Sequence, residues 1–121
     1  MNTLIVKDGS MERAPLKNCH GGEGALDWKN VLGKKDLANR ALNYVHDNII
    51  LPGVSIGLHS HSHDEEYYYI ISGNGIMQLD DNEFEVGPGD ITGVFPGGKH
   101  SLKNSSTINM RILVFSVKSS L

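Results

Sequence analysis

The residues best equipped for chemistry lie close together, between Gly53 and Gly75. His59 and His61 are separated by a single residue in a segment that reads as a strand. Side chains two positions apart project from the same face of a sheet, so both imidazoles can converge on one point. Glu66 follows after four intervening residues, enough to turn the chain and open a neighbouring strand. That strand, Tyr67 to Ile71, is aromatic and apolar and stops at Ser72-Gly73-Asn74-Gly75, a strong turn signal. Two imidazoles and a carboxylate on paired strands are a donor set for a first-row transition metal.

The same stretch resembles the first motif of the cupin superfamily, G-x5-H-x-H-x3-or-4-E-x6-G, with Gly53, His59, His61, Glu66 and Gly73 at its fixed positions. The second cupin motif, G-x5-P-x-G-x2-H-x3-N, is matched from Gly89 by Gly97, His100 and Asn104. It departs at one point: Phe95 takes the proline position and Pro96 comes one later. The histidine spacing is untouched, and the resemblance covers about residues 43 to 118. It implies an all-β fold, the cupin double-stranded β-helix or jelly-roll barrel. It also implies a divalent transition metal held by His59, His61, Glu66 and His100, with Mn, Fe, Ni, Co, Zn or Cu all acceptable to these donors. Four side chains leave about two positions of an octahedral sphere for water or a small-molecule ligand.

Other residues compete for these roles. His61 and His63 repeat the spacing, but a shift to them leaves only two residues before Glu66, and Gly53 and Gly73 both favour the earlier pair. His63 is therefore expected at the pocket rim or in solvent. Glu65 is the rival carboxylate, and strand alternation sends it to the face opposite Glu66. The same alternation turns Tyr68 and Ile70 inward with Glu66. Tyr68 and His63 are the nearest candidates for proton transfer. Phe95, Met77, Phe84 and Met110 are expected in the core or lining the pocket. Asn104 is expected to shape a turn rather than to bind metal, and His46, outside both motifs, to be ordinary. Cys19 has only its neighbour His20 as a nearby base, which is weak support for a nucleophile.

Composition bounds the possible functions. A chain of 121 residues forms one domain with a modest core. A net charge of −3 lacks the basic excess of a nucleic-acid surface, so no nucleic-acid partner is expected. No apolar run reaches the length of a membrane span, and the N-terminus has no signal-like pattern. The single cysteine suits a reducing compartment, and a cytoplasmic location is expected.

The elements that must position the site follow from the pattern of short β-prone runs and Gly/Pro turns. Thr3 to Val6 reads as a first strand, able to pair within the chain or with a second subunit. Residues 11 to 25 read as irregular. Their Gly-Gly-Glu-Gly run lacks the ending of a phosphate loop, and the loop has the length to fold over a barrel mouth and bring His20 or Glu23 to it. Ala25–Leu32 reads as a strand with Trp28 packing, residues 34–41 as a loop or one helical turn, and Asn43–Leu51 as a strand. Beyond the first motif come a hairpin around Asp80-Asp81-Asn82, strands at Ile91–Phe95 and His100–Lys103, and a last strand, Asn109–Lys118, apolar on both faces. Residues 1–42 thus read as an N-terminal arm with strands packing on the barrel or on a partner subunit, and 43–121 as the barrel. The doubly apolar last strand asks for extra covering surface, which predicts a homodimer. Two functions fit: a small metal-dependent enzyme acting on an acidic or carbonyl-bearing metabolite, or a binding and sensing module that holds such a molecule without turnover.

Overall fold

A computed structural model describes residues 2–120. Ten strands carry the fold: β1 (Glu12–Lys17), β2 (Ala25–Leu32), β3 (Leu42–Ile50), β4 (Ser55–Ser60), β5 (Asp64–Ser72), β6 (Gly75–Leu79), β7 (Asn82–Val86), β8 (Ile91–Val94), β9 (Lys99–Lys103) and β10 (Met110–Lys118). They form two antiparallel sheets, β1-β2-β3-β10-β5-β8 and β4-β9-β6-β7, whose facing sides enclose the core. Each strand obeys the period of two. Along β10, Met110, Ile112, Val114 and Ser116 are buried and the residues between them face outward. Their partners on β5 are Ile70, Tyr68 and Glu66, and on β3 Ile50, Asn48, His46 and Tyr44. The inward row therefore turns from aliphatic at one end to polar and aromatic at the other, and the functional groups cluster at the polar end.

Two parts of the N-terminal region differ from the sequence reading. Thr3–Val6 forms no strand; residues 2–7 are irregular and lead into a 3-10 turn at Asp8–Ser10. The first strand is instead Glu12–Lys17, within the stretch read as irregular. It is an edge strand paired only with β2 and is almost wholly exposed, so its sequence carries no hydrophobic alternation, and Pro15 is tolerated because an edge position needs no ladder donor. The other strands lie where the pattern puts them, to within a few residues.

Met77 and Met110 are fully buried as expected, but Phe84 and Phe95 are not, at 49% and 57% exposed. Phe84 shares the face of Met77, directly opposite it on β6, but sits on the edge strand β7, with no further strand beyond it to cover the ring. Phe95 is lifted outward by the turn around the displaced proline, and packs edge-on against Tyr67, with ring centroids 6.2 Å apart. The outer face of the larger sheet carries further apolar groups, among them Tyr69, Ile71 and Ile91, all partly exposed.

Asn104 closes the second motif as a structural hub. It is fully buried, and its amide nitrogen donates to the carbonyls of Ile50 and Ile108 at 2.8 and 2.7 Å. Its side-chain oxygen accepts from the Ser106 amide and hydroxyl. Gly73 is equally constrained: φ is +80°, and a Cβ there would lie 2.5 Å from the Asn109 carbonyl oxygen. Replacing Asn104 by Ala strands buried carbonyls and should lower unfolding stability by about 3 kcal/mol. Urea denaturation of the purified variant checks this.

Candidate metal centre

His59 and His100 stand opposite each other on β4 and β9, while Glu66 reaches across from β5 in the other sheet. His61 lies just past the end of β4. Its backbone is held by two bonds to the second-motif turn: the His61 amide donates to the Gly98 carbonyl at 3.2 Å, and the Gly97 amide to the His61 carbonyl at 2.8 Å. The turn of one motif thus fixes a histidine of the other, and the shifted proline leaves that lock intact.

One donor atom from each of His59, His61, Glu66 and His100 lies within 4.8 Å of all the others. Glu66 Oε1 is 2.9 Å from His100 Nε2, 3.3 Å from His61 Nε2 and 3.6 Å from His59 Nε2. His100 Nε2 is also 3.0 Å from His59 Nε2 and 3.2 Å from His61 Nε2. Such spacings are those of neighbouring ligands around one ion with bonds of about 2.1 Å. The outer nitrogens point the same way. His59 Nδ1 bonds the Gly57 carbonyl at 2.8 Å and His61 Nδ1 bonds Asp64 at 2.9 Å, which leaves each Nε2 with a free lone pair aimed at the centre. Glu66 Oε1 is buried and has no hydrogen-bond partner. These two lone pairs, His100 Nε2 and an unpartnered carboxylate oxygen converge on one point as a candidate cation site, and the donor set fits a divalent transition metal.

Electrostatics agree. Burial alone would raise the Glu66 pKa, yet the close His100 and His59 rings and the Tyr44 hydroxyl outweigh it and hold the carboxyl ionised, below the usual carboxylate range. Burial also favours neutral imidazole at His100, whose pKa falls despite the attraction of Glu66. At His59 burial acts in the same direction, but the contact with Glu66 and the bond to Gly57 win, and its pKa rises. A metal must therefore compete with a proton at His59, and binding weakens on acidification.

His63 is exposed and stands outside this cluster. Glu65 turns to the other face, where it accepts from the Tyr67 hydroxyl at 2.7 Å. Tyr68 is buried as expected, its ring centroid 4.8 Å from that of His100. Burial and the nearby Glu66 charge push its hydroxyl pKa far up, which keeps the phenol protonated.

Two partners of the centre, Tyr44 and Asp64, were not legible in the sequence, and a third, His20, was one of the readings open for its loop. Tyr44 on β3 donates its hydroxyl to Glu66 Oε2, turning Oε1 toward the histidines. Asp64, which orients His61, is itself held by Ser116 at 2.6 Å, and Ser116 accepts from Asn43 at 3.0 Å. His20 lies flat on His59, with ring centroids 3.6 Å apart and planes 10° from parallel. Its loop does fold over the barrel mouth. Gly22 and Gly57 allow that approach, since a Cβ on Gly57 would stand 2.1 Å from the His20 carbonyl oxygen. The spacing of His20 from the motif carries no periodic signal, so only the folded loop reveals the contact.

The comparisons with known proteins match this geometry. The cupin domain family model matches residues 48–116, more than half of the chain. The protein belongs to the cupin family. It is 26% identical to an oxalate-binding protein of Thermotoga maritima over 110 residues, covering 91% of this chain and 90% of that one. An uncharacterized protein of Methanocaldococcus jannaschii is 38% identical over 110 residues, covering 90% and 74%. Among solved structures, a predicted oxalate decarboxylase of Thermotoga maritima superposes with a TM-score of 0.88 at 24% identity, over 96% of this chain and all of that one. That likeness establishes the jelly-roll fold of this cupin.

If Tyr44 aims Glu66, Tyr44→Phe should keep the fold but weaken metal binding by about tenfold or more, the usual effect of losing an outer partner of a ligand. Competition against a coloured chelator, with circular dichroism as the control for folding, reads both.

Proposed function

We propose that this cupin holds a divalent transition metal on His59, His61, Glu66 and His100 and acts on a small acidic or carbonyl-bearing metabolite bound beside it. The observation that carries the reading is the convergence of three imidazole nitrogens and the unpartnered Glu66 oxygen on one point. When bound, the metal would supply Lewis-acid polarisation of a ligand oxygen. The chain supplies the rest. Gly57 and Asp64 orient His59 and His61, Tyr44 fixes Glu66, and the rings of Tyr68 and His20 pack against His100 and His59. The ionised carboxylate offsets part of the cation's charge, while burial leaves the remainder poorly screened and attractive to an anionic oxygen. The oxalate-binding relative supports a small dicarboxylate or keto acid as the ligand class. It also favours a second reading, a module that binds such an acid without turning it over.

Elemental analysis of untagged protein should find about one metal per chain. His61→Ala and His100→Ala should cut metal affinity by more than the roughly 10–100-fold expected for an outer partner, and His63→Ala should leave it unchanged. Equal loss for His63→Ala with retention in His59→Ala would move the site by two residues.

Oxalate and 2-oxoglutarate should perturb the absorption or paramagnetic resonance of the metal-loaded protein, and the change should vanish in Glu66→Gln. Consumption of the acid over time supports the enzyme; a saturable spectral change with the acid recovered intact supports the binding module. A centre unresponsive to these acids and to azide is structural.

The larger sheet's outer face bears Tyr67, Tyr69, Ile91, Leu113 and Phe115 in adjacent register and supports a homodimer formed through it, while the single cysteine is what favours a cytoplasmic location. No helix among the described residues is long and apolar enough to cross a membrane. Light scattering at micromolar concentration should give twice the chain mass of 13.2 kDa. Phe115→Glu should return it to the monomer.

A further inference from the structure

A second feature of the barrel interior belongs to none of the four metal donors. Trp28, Asn30, Leu37, Leu42, Tyr44 and His46 line a cavity of about 640 Å3 between β2, β3 and the loop that joins them. The six residues named precede residue 48, where the match to the cupin family model begins, so this wall lies outside the segment that carries the metal donors.

The cavity's lining selects a ligand. Three rings stand together: Tyr44 stacks on His46 with centroids 4.4 Å apart and planes 12° from parallel, and Trp28 meets His46 edge-on at 5.3 Å. Aromatic faces and edges of this kind pack best against another planar ring, and Leu37 and Leu42 extend the apolar wall. Apart from the rings, the polar lining consists of Asn30, Asn39, Asn43, Lys34 and Lys118, of which Asn43 is spent on Ser116 and Lys118 on the Arg40 carbonyl. Asn30 sits opposite His46 in the strand register, and its side-chain oxygen is buried with no hydrogen-bond partner. A buried acceptor left unpaired costs about 1–3 kcal/mol, which a donor on a ligand recovers. His46 is kept neutral by burial, its pKa pushed down to about 4, so the imidazole offers one donor and one acceptor and no charge. Tyr44 connects the two regions: its ring forms the cavity wall while its hydroxyl bonds Glu66.

We propose that this cavity is the specificity subsite of the cupin, receiving the planar, hydroxyl-bearing ring of a small acid, with Asn30 accepting from the ring hydroxyl. The ligand class is thereby a hydroxylated aromatic or heteroaromatic acid rather than a bare dicarboxylate. This deepens the reading of the metal centre as an acid receptor, and the ring subsite is testable without the metal. Trp28 is the single tryptophan of the chain, so tryptophan emission reports on this wall alone.

The experiment is calorimetric titration of metal-free and metal-loaded protein with pyruvate, phenylpyruvate and 4-hydroxyphenylpyruvate, with Trp28 emission followed in parallel. In metal-free protein, 4-hydroxyphenylpyruvate should bind about tenfold or more tighter than pyruvate and several-fold tighter than phenylpyruvate, with a saturable change in emission. Asn30→Leu should bring the two aromatic acids to equal affinity while phenylpyruvate binds as before. His46→Ala should weaken both aromatic acids and leave pyruvate unchanged. Equal affinity for all three acids, or ring binding with Trp28 emission unmoved, overturns the proposal. So does hydroxyl discrimination that persists in Asn30→Leu. Metal-loaded protein that binds oxalate but no ring compound removes the subsite and leaves the metal centre standing. Ring binding by a protein that retains no metal does the reverse.

Discussion

An ionised carboxylate taken out of water costs several kcal/mol unless its surroundings replace the lost hydration. Glu66 is only 5% exposed, and what replaces water around it is the rest of the site: three imidazoles at one oxygen and the Tyr44 hydroxyl at the other. These groups come from both sheets, so the two sheets must close at the correct distance for the charge to be tolerated. Removing the partners while leaving the carboxylate would be more damaging than replacing the whole cluster by apolar side chains, because an isolated buried charge has no other means of compensation. The geometry of the barrel and the chemistry of its centre are therefore one constraint.

The apolar end of the barrel makes that arrangement rigid. Ile50, Ile70, Met77, Leu102, Met110 and Ile112 are fully buried and fill the space between the sheets. Close-packed interiors transmit position rather than absorb it, so the inward row of β3, β10 and β5 arrives at the polar end in fixed register. Asn104 and the Gly97-Gly98 turn do the same for the loops. Asn104 satisfies the carbonyls left over where strands end, and the turn holds His61 by main-chain bonds that no side-chain substitution removes.

The N-terminal region has a different part. β1 and β2 extend the larger sheet, and the connection between them folds back so that His20 covers His59. β2 then contributes Trp28 and Asn30 to the interior. The centre is built from the shared cupin segment, whereas the walls around it come from the part of the chain that lies outside that segment. Such a division is how one fold hosts different functions, since the shared scaffold and the groups placed around it vary separately.

The sequence by itself determined the barrel and the four converging groups. Alternation over short strands is a local signal, and His-x-His places two imidazoles on one face wherever the strand is paired. Alternation put Glu65 and Glu66 on opposite faces, the distance to Gly73 chose Glu66, and both residues face as that reading requires. The sequence pattern misjudged Thr3–Val6 and β1, because an exposed edge strand has no buried face to imprint a pattern and a short apolar run is no strand without a partner. It misplaced Phe84 and Phe95, whose burial depends on which strand is an edge and on the shape of one turn. Tyr44, Asp64 and the cavity under β2 were decided only by tertiary structure, which also chose among the readings open for the His20 loop. Their spacing along the chain has no period linking them to the motif, and they meet it through strand order and loop closure, which bring together residues that no local rule relates.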